Sequence, residues 1–158
     1  MVDFRPVLFV VGLLLATLAV AMVLPAVVDA AVGNPDWQVF LAAAAATLFV
    51  GVALVLMTRG ASLAIDVRQA FVLTTAAWIS TCAFGALPFA FAGLDLTYAD
   101  AFFEATSGVT TTGSTVITGL DHAPPGILLW RALLQWLGGI GLIVMAVALL
   151  PMLQVGGM

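Results

Sequence analysis

The chain has 158 residues, 64% of them hydrophobic and 8% charged, with a mean hydropathy of +1.25. A water-soluble domain of this length carries roughly a quarter charged residues, so the composition excludes that class and assigns the chain to a bilayer. Four arginines, no lysine and eight acids give a net charge of −4, which excludes nucleic acid as a partner.

The first apolar run begins after Arg5 and extends from about Val7 to Val28, with Pro25 near its end. Arg5, the run and the small residues Ala19–Ala21 share features with a signal peptide. The run continues past Met22 to about Val32, however, too long for the apolar part of a signal and long enough to span, so an uncleaved membrane helix is expected. Breakers follow in the turn Asp29–Asp36, which holds Gly33, Asn34 and Pro35. A second, alanine-rich span is expected over Val39–Met57, with Trp37 suited to an interface. The loop TRGASLAIDVR carries Arg59 and Arg68. A third span is expected over Ala70–Phe91, with Pro88 near its end. It holds the single cysteine, Cys82, which has no intrachain disulfide partner and reads as a small core residue.

The segment from Leu94 to Pro125 is neither a span nor an ordinary loop. Residues Thr97–Val109, TYADAFFEATSGV, place Tyr98, Ala101, Phe102, Ala105 and Val109 at helical spacing, and Thr97 with Asp100 is suited to cap the helix start. A dozen residues reach about 18 Å, half a membrane. The run TTTGST, Thr110–Thr115, follows directly. His122, in a Pro-rich turn, reads as a solvated loop residue. A fourth span is expected over Ile127–Leu150, stopped by Pro151. Within it, Gly138–Gly141 read GGIG, a site for close backbone packing, and Trp130 and Trp136 include an expected interfacial anchor. The chain thus predicts an all-α integral membrane fold: four transmembrane helices, one re-entrant pore helix over about 97–109, and an extended filter loop over about 110–115.

The charges orient this bundle. Arg5, Arg59 and Arg68 fall on one side, and Asp29, Asp36, Asp95, Asp100, Glu104 and Asp121 on the other. The positive-inside rule then puts both termini in the cytoplasm. The acids of the outer segment form either a vestibule that concentrates cations or simply a solvated face.

A helix ending in mid-membrane leaves carbonyls that are tolerated only against protein or a water-filled cavity, and its C-terminal end carries partial negative charge. Small hydroxyl residues let the chain climb back in extended form with its carbonyls turned inward, and Gly113 permits a positive φ. Rings of such oxygens replace the hydration shell of K⁺. TTTGST therefore reads as an ion filter, against the plainer alternative of a Ser/Thr-rich linker. Arg131, about one turn inside the fourth span, either pairs with Glu104 and braces the filter from behind or snorkels to the headgroups. No metal-ligand spacing, nucleophile–base pair or phosphate loop is present, so neither an enzyme nor a resident cofactor is expected.

The stretches YADAFFEATSGVTTTGSTV and LLWRALLQWLGGIGLIVMAVALLP resemble the Trk/Ktr/HKT superfamily of potassium transporters, and most closely its TrkH-type subunits. The resemblance covers nearly the whole chain. It implies potassium ion transport across a bacterial or archaeal plasma membrane through four membrane–pore–membrane repeats around one pore, each with a single filter glycine. Residues 1–60 then correspond to the extra N-terminal hairpin and residues 61–158 to the first repeat. Gly113 matches the filter glycine, Thr111, Thr112, Gly113 and Ser114 the ion-binding carbonyl positions, and Thr110 the end of the pore helix. Glu104 and Arg131 are the expected filter supports. The other three repeats are missing, so one chain supplies a quarter of a pore. That implies a fragment completed by the missing repeats, or four identical chains; a non-conducting membrane scaffold is the alternative. In the family, a cytosolic nucleotide-binding ring gates the pore.

Overall fold

The computed structural model describes residues 4–60 and 65–154, with side chains to residue 143. The middle of the TRGASLAIDVR loop, the expected domain boundary there and the terminal VGGM lie outside the described residues.

Helix α1 (Arg5–Ala31) carries Pro6 in its first turn, where a missing N–H costs nothing. It buries Val7, Val11, Leu15, Leu18, Met22 and Ala26, a stripe at three- and four-residue spacing, and leaves Leu13, Val20 and Val27 exposed. Helix α2 (Trp37–Met57) returns against it and buries Phe40, Ala43, Ala44, Thr47 and Gly51. The two backbones meet at Gly12 and Gly51. A Cβ on Gly12 would lie 2.8 Å from the Gly51 carbonyl oxygen, and one on Gly51 would lie 2.8 Å from that of Gly12. Only residues without a side chain allow that crossing.

The expected third span is two pieces, α3 (Val67–Gly85) and α4 (Leu87–Phe91), separated at Ala86. Pro88 is the cause, because it has no N–H to offer the Phe84 carbonyl and its ring crowds that oxygen. Asp66 and Gln69 close a capping box at the start of α3. Helix α5 (Tyr98–Val109) follows, then the irregular segment 110–119, a 3-10 turn (Leu120–His122) holding the exposed His122, and α6 (Pro125–Gln154). Helix α6 runs through Pro151 rather than stopping there, since in a membrane helix the loss of one backbone bond is tolerated.

Among the described residues, four helices are long and apolar enough to cross a membrane: Arg5–Ala31, Trp37–Met57, Val67–Phe91 and Pro125–Ile143. The fold is the expected all-helical membrane architecture. Its core centres on Trp130, which is fully buried, packs edge-on against Phe40 at 6.3 Å and donates its indole N–H to the Gly85 carbonyl at 2.9 Å. One side chain thereby ties α6 to α2 and α3. Trp130 is therefore no interfacial anchor, while Trp136 is 63% exposed on the outside of the bundle.

A second tie joins the far ends of the first and last helices. Asp29, fully buried at the end of α1, accepts the Gly126 N–H at 2.7 Å. It thus serves as a cap for α6 drawn from a residue 97 positions away. Gly126 is required there, because a Cβ would fall 2.5 Å from the carboxylate carbon.

A candidate ion-filter segment at the end of a half-span helix

Helix α5 has 12 residues, half the length a span requires. Thr97 and Asp100 close a capping box at its start: Thr97 Oγ1 accepts the Asp100 N–H at 3.2 Å, and Asp100 Oδ2 accepts the Thr97 N–H at 3.1 Å. Ala101, Ala105 and Val109 of the expected apolar face are buried. Tyr98 is instead 50% exposed, with its hydroxyl donating to the Ala83 carbonyl at 3.0 Å. At its far end α5 is crossed by α6. A Cβ on Gly138 would overlap the Val109 carbonyl group, with the carbonyl carbon 2.6 Å away. Gly108 lies against Leu134 of α6 in the same crossing.

Past Val109 the chain turns on itself. The N–H of Thr111 donates to the Gly108 carbonyl at 2.9 Å, and the N–H groups of Thr112 and Gly113 both donate to the Ser107 carbonyl, at 3.0 and 3.4 Å. In a trans peptide the N–H and the preceding C=O point in opposite directions. Three N–H groups bonded back to the helix end therefore turn the carbonyls of Thr110, Thr111 and Thr112 away from it, toward the open face. Positive φ at Thr111 (58°) and Gly113 (80°), with Thr110 at −81°, alternates the backbone hand and produces this alignment. Nothing lies within 4 Å of a Cβ placed on Gly113, so that glycine serves conformation, not packing. Residues 110–116 are all exposed.

Ser114 is held differently. Its carbonyl accepts the Ser107 hydroxyl at 2.6 Å. Beyond it, Glu104 anchors the returning chain: its Oε2 accepts both Thr115 Oγ1 and the Val116 N–H, each at 3.0 Å. Its Oε1 pairs with Arg131 Nε of α6. Glu104 is 1% exposed and so contributes nothing to an acidic vestibule, because a carboxylate satisfied by Arg131, a hydroxyl and an amide belongs to the interior. Arg131 points inward to Glu104 and does not snorkel. The Glu104 carboxylate, itself paired with Arg131, and the Ser107 hydroxyl thus hold the segment from the helix side, while the carbonyls of Thr110, Thr111 and Thr112 face away from it. Sequence reasoning placed Thr115 in the run but not its bond to Glu104, and it missed Ser107 and Val116 as parts of this arrangement; the one signal for Ser107 is its place one turn before Thr110.

The family model for TrkH, described as a cation transport protein, matches residues 36–158. The chain belongs to the TrkH family. It is 41% identical over 157 residues to the Trk system potassium uptake protein TrkH of Halomonas elongata, covering 99% of this chain and 33% of that protein. It is 40% identical to TrkH of Escherichia coli K12, covering 98% of this chain and 32% of the relative. The crystal structure of the potassium transporter TrkH from Vibrio parahaemolyticus superposes with a TM-score of 0.92 at 40% identity, over 99% of this chain and 34% of that one. The chain thus spans about a third of the length of the TrkH relatives it matches. These relatives are transport proteins, not enzymes, and a multi-pass membrane location follows for this TrkH-family chain.

Proposed function

We propose that this chain supplies one segment of a potassium-selective pore, with K⁺ held by the backbone carbonyls of Thr111, Thr112, Gly113 and Ser114. The observation that carries the reading is the set of three N–H groups bonded back to the end of α5, which leaves the carbonyls of Thr111 and Thr112 free toward the open face. Ser114 contributes with the lone pair that Ser107 leaves unused. Thr110 ends the pore helix, whose dipole favours a cation just beyond it. Glu104 and Arg131 support the segment from behind.

One segment makes a quarter of such a site. The TrkH relatives are about three times as long, which favours completion by further repeats of the same protein over assembly of four identical chains. In this reading residues 1–60 form the added hairpin and 61–158 the first repeat. The Arg5, Arg59 and Arg68 end faces the cytoplasm of a bacterial or archaeal cell, bilayer lipid covers the outer helix faces, and a cytosolic nucleotide-binding ring is the regulatory partner. No covalent chemistry is involved.

The test is rubidium uptake in cells that lack their own potassium uptake, using a chimera in which this chain replaces the matching third of Escherichia coli TrkH. Gly113→Val should lower the preference for K⁺ over Na⁺, because a β-branched residue resists the positive φ. An unchanged preference would rule out the filter. Rescue by the 158-residue chain alone would favour four identical chains.

A further inference from the structure

Ser107 is 5% exposed, lies on neither the ion-facing side of the loop nor the Glu104–Arg131 pair, and yet makes more bonds to the filter segment than any other residue of α5. Its hydroxyl donates to the Ser114 carbonyl at 2.6 Å, and its own carbonyl receives the Thr112 and Gly113 N–H groups. The two functions are distinct. A carbonyl at this helix end is available from any residue, but the hydroxyl is a property of serine or threonine alone among small side chains.

We propose that Ser107 is a positioning residue for ion selection: its hydroxyl fixes the direction of the Ser114 carbonyl and so sets the end of the run of ion-facing oxygens. The proposal rests on the filter reading above. Thr110–Thr112 have their carbonyls turned outward by backbone bonds that any sequence can make. Ser114 has no such constraint, since its carbonyl is held by a side chain. Remove that hydroxyl and the peptide joining Ser114 to Thr115 is free to rotate until Glu104 takes over at Val116. The change in oxygen placement alters the fit for K⁺ relative to the smaller Na⁺, with no loss of the α5–α6 packing that Gly108 and Gly138 provide. A threonine retains the hydroxyl and preserves the bond.

Two measurements test this. In the purified 158-residue chain with isotope-labelled Ser114 carbonyl, S107A should shift its stretching band to higher frequency, and S107T should return it to the wild-type position. An unmoved band in S107A overturns the proposal. In the chimera, S107A should lower K⁺ over Na⁺ preference by about two- to tenfold, the range of one lost hydrogen bond, with S107T restoring it. If G113V changes the preference and S107A does not, the positioning role falls while the filter stands. If G113V has no effect, the filter reading itself has failed.

Discussion

Gly138 of α6 lies directly on the Val109 carbonyl that ends the half-span helix α5, with no room for a side chain between them. Helix α6 therefore sets how closely the end of α5 approaches it before the chain turns at Thr110.

Gly138→Ala forces one backbone to retreat, because the clash is with main-chain atoms that cannot rotate away. A cost of about 1–3 kcal/mol is expected, as for other overpacked sites. Gly141→Ala, with nothing within 4 Å of its Cβ, is expected to be neutral or slightly stabilising through helix propensity. Thermal unfolding in detergent compares them, and equal midpoints for the two variants would refute the close crossing.

Glu104 and Arg131 are expected to act as a unit. Removing either one leaves a buried group without its counter-charge, at about 3–5 kcal/mol. Glu104→Ala and Arg131→Ala together should cost less than the sum of the two, with a coupling of about 0.5–3 kcal/mol in a double-mutant cycle. Simple additivity would mean the pair is not formed. Glu104→Ala should also be the worse single change in rubidium uptake, since it frees Thr115 and Val116 as well.

The two tryptophans of α6 should respond oppositely. Trp130→Phe keeps most of the ring but abandons the Gly85 carbonyl, for a loss of about 1 kcal/mol or more in a buried setting. Trp136→Phe, on the exposed face, should leave the unfolding midpoint unchanged. Matching losses would contradict the burial of Trp130.

Asp36 gives the acidic end of the bundle a pH dependence. Burial, and then the neighbouring Asp29 carboxylate, push its pKa above the ordinary 3.8. The folded chain therefore binds that proton more tightly than the unfolded chain does. Its contribution favours folding at low pH and is lost as pH rises from about 3.8 through the raised value. Unfolding midpoints measured across this window should fall less steeply in Asp36→Asn than in the unaltered chain. Parallel curves would remove Asp36 as the source.

The spans, the cap of α5 and the positive φ at Gly113 were legible in the sequence because each depends on local properties. Twenty apolar residues commit a segment to the bilayer whatever surrounds them. Thr97 and Asp100 are close enough along the chain to cap without help, and a glycine among threonines permits a positive φ by its own chemistry. The interruption at Ala86 was visible only as Pro88, since a proline inside a membrane helix sometimes breaks it and sometimes, as at Pro151, does not.

What only the tertiary structure decided is which buried polar groups meet. Asp29 finds Gly126 across 97 residues, and Trp130 finds Gly85 across 45. For Arg131 the sequence left two directions open, and the nearness of α5 selected Glu104. The same packing withdrew Glu104 from the solvent face, where its charge alone had placed it. Ser107 became visible only once the chain folded back over the helix end and brought Ser114 to its hydroxyl. Hydropathy and turn chemistry act over a few residues, whereas the partner a buried donor or acceptor finds is set by what the packed helices bring within hydrogen-bond reach of it.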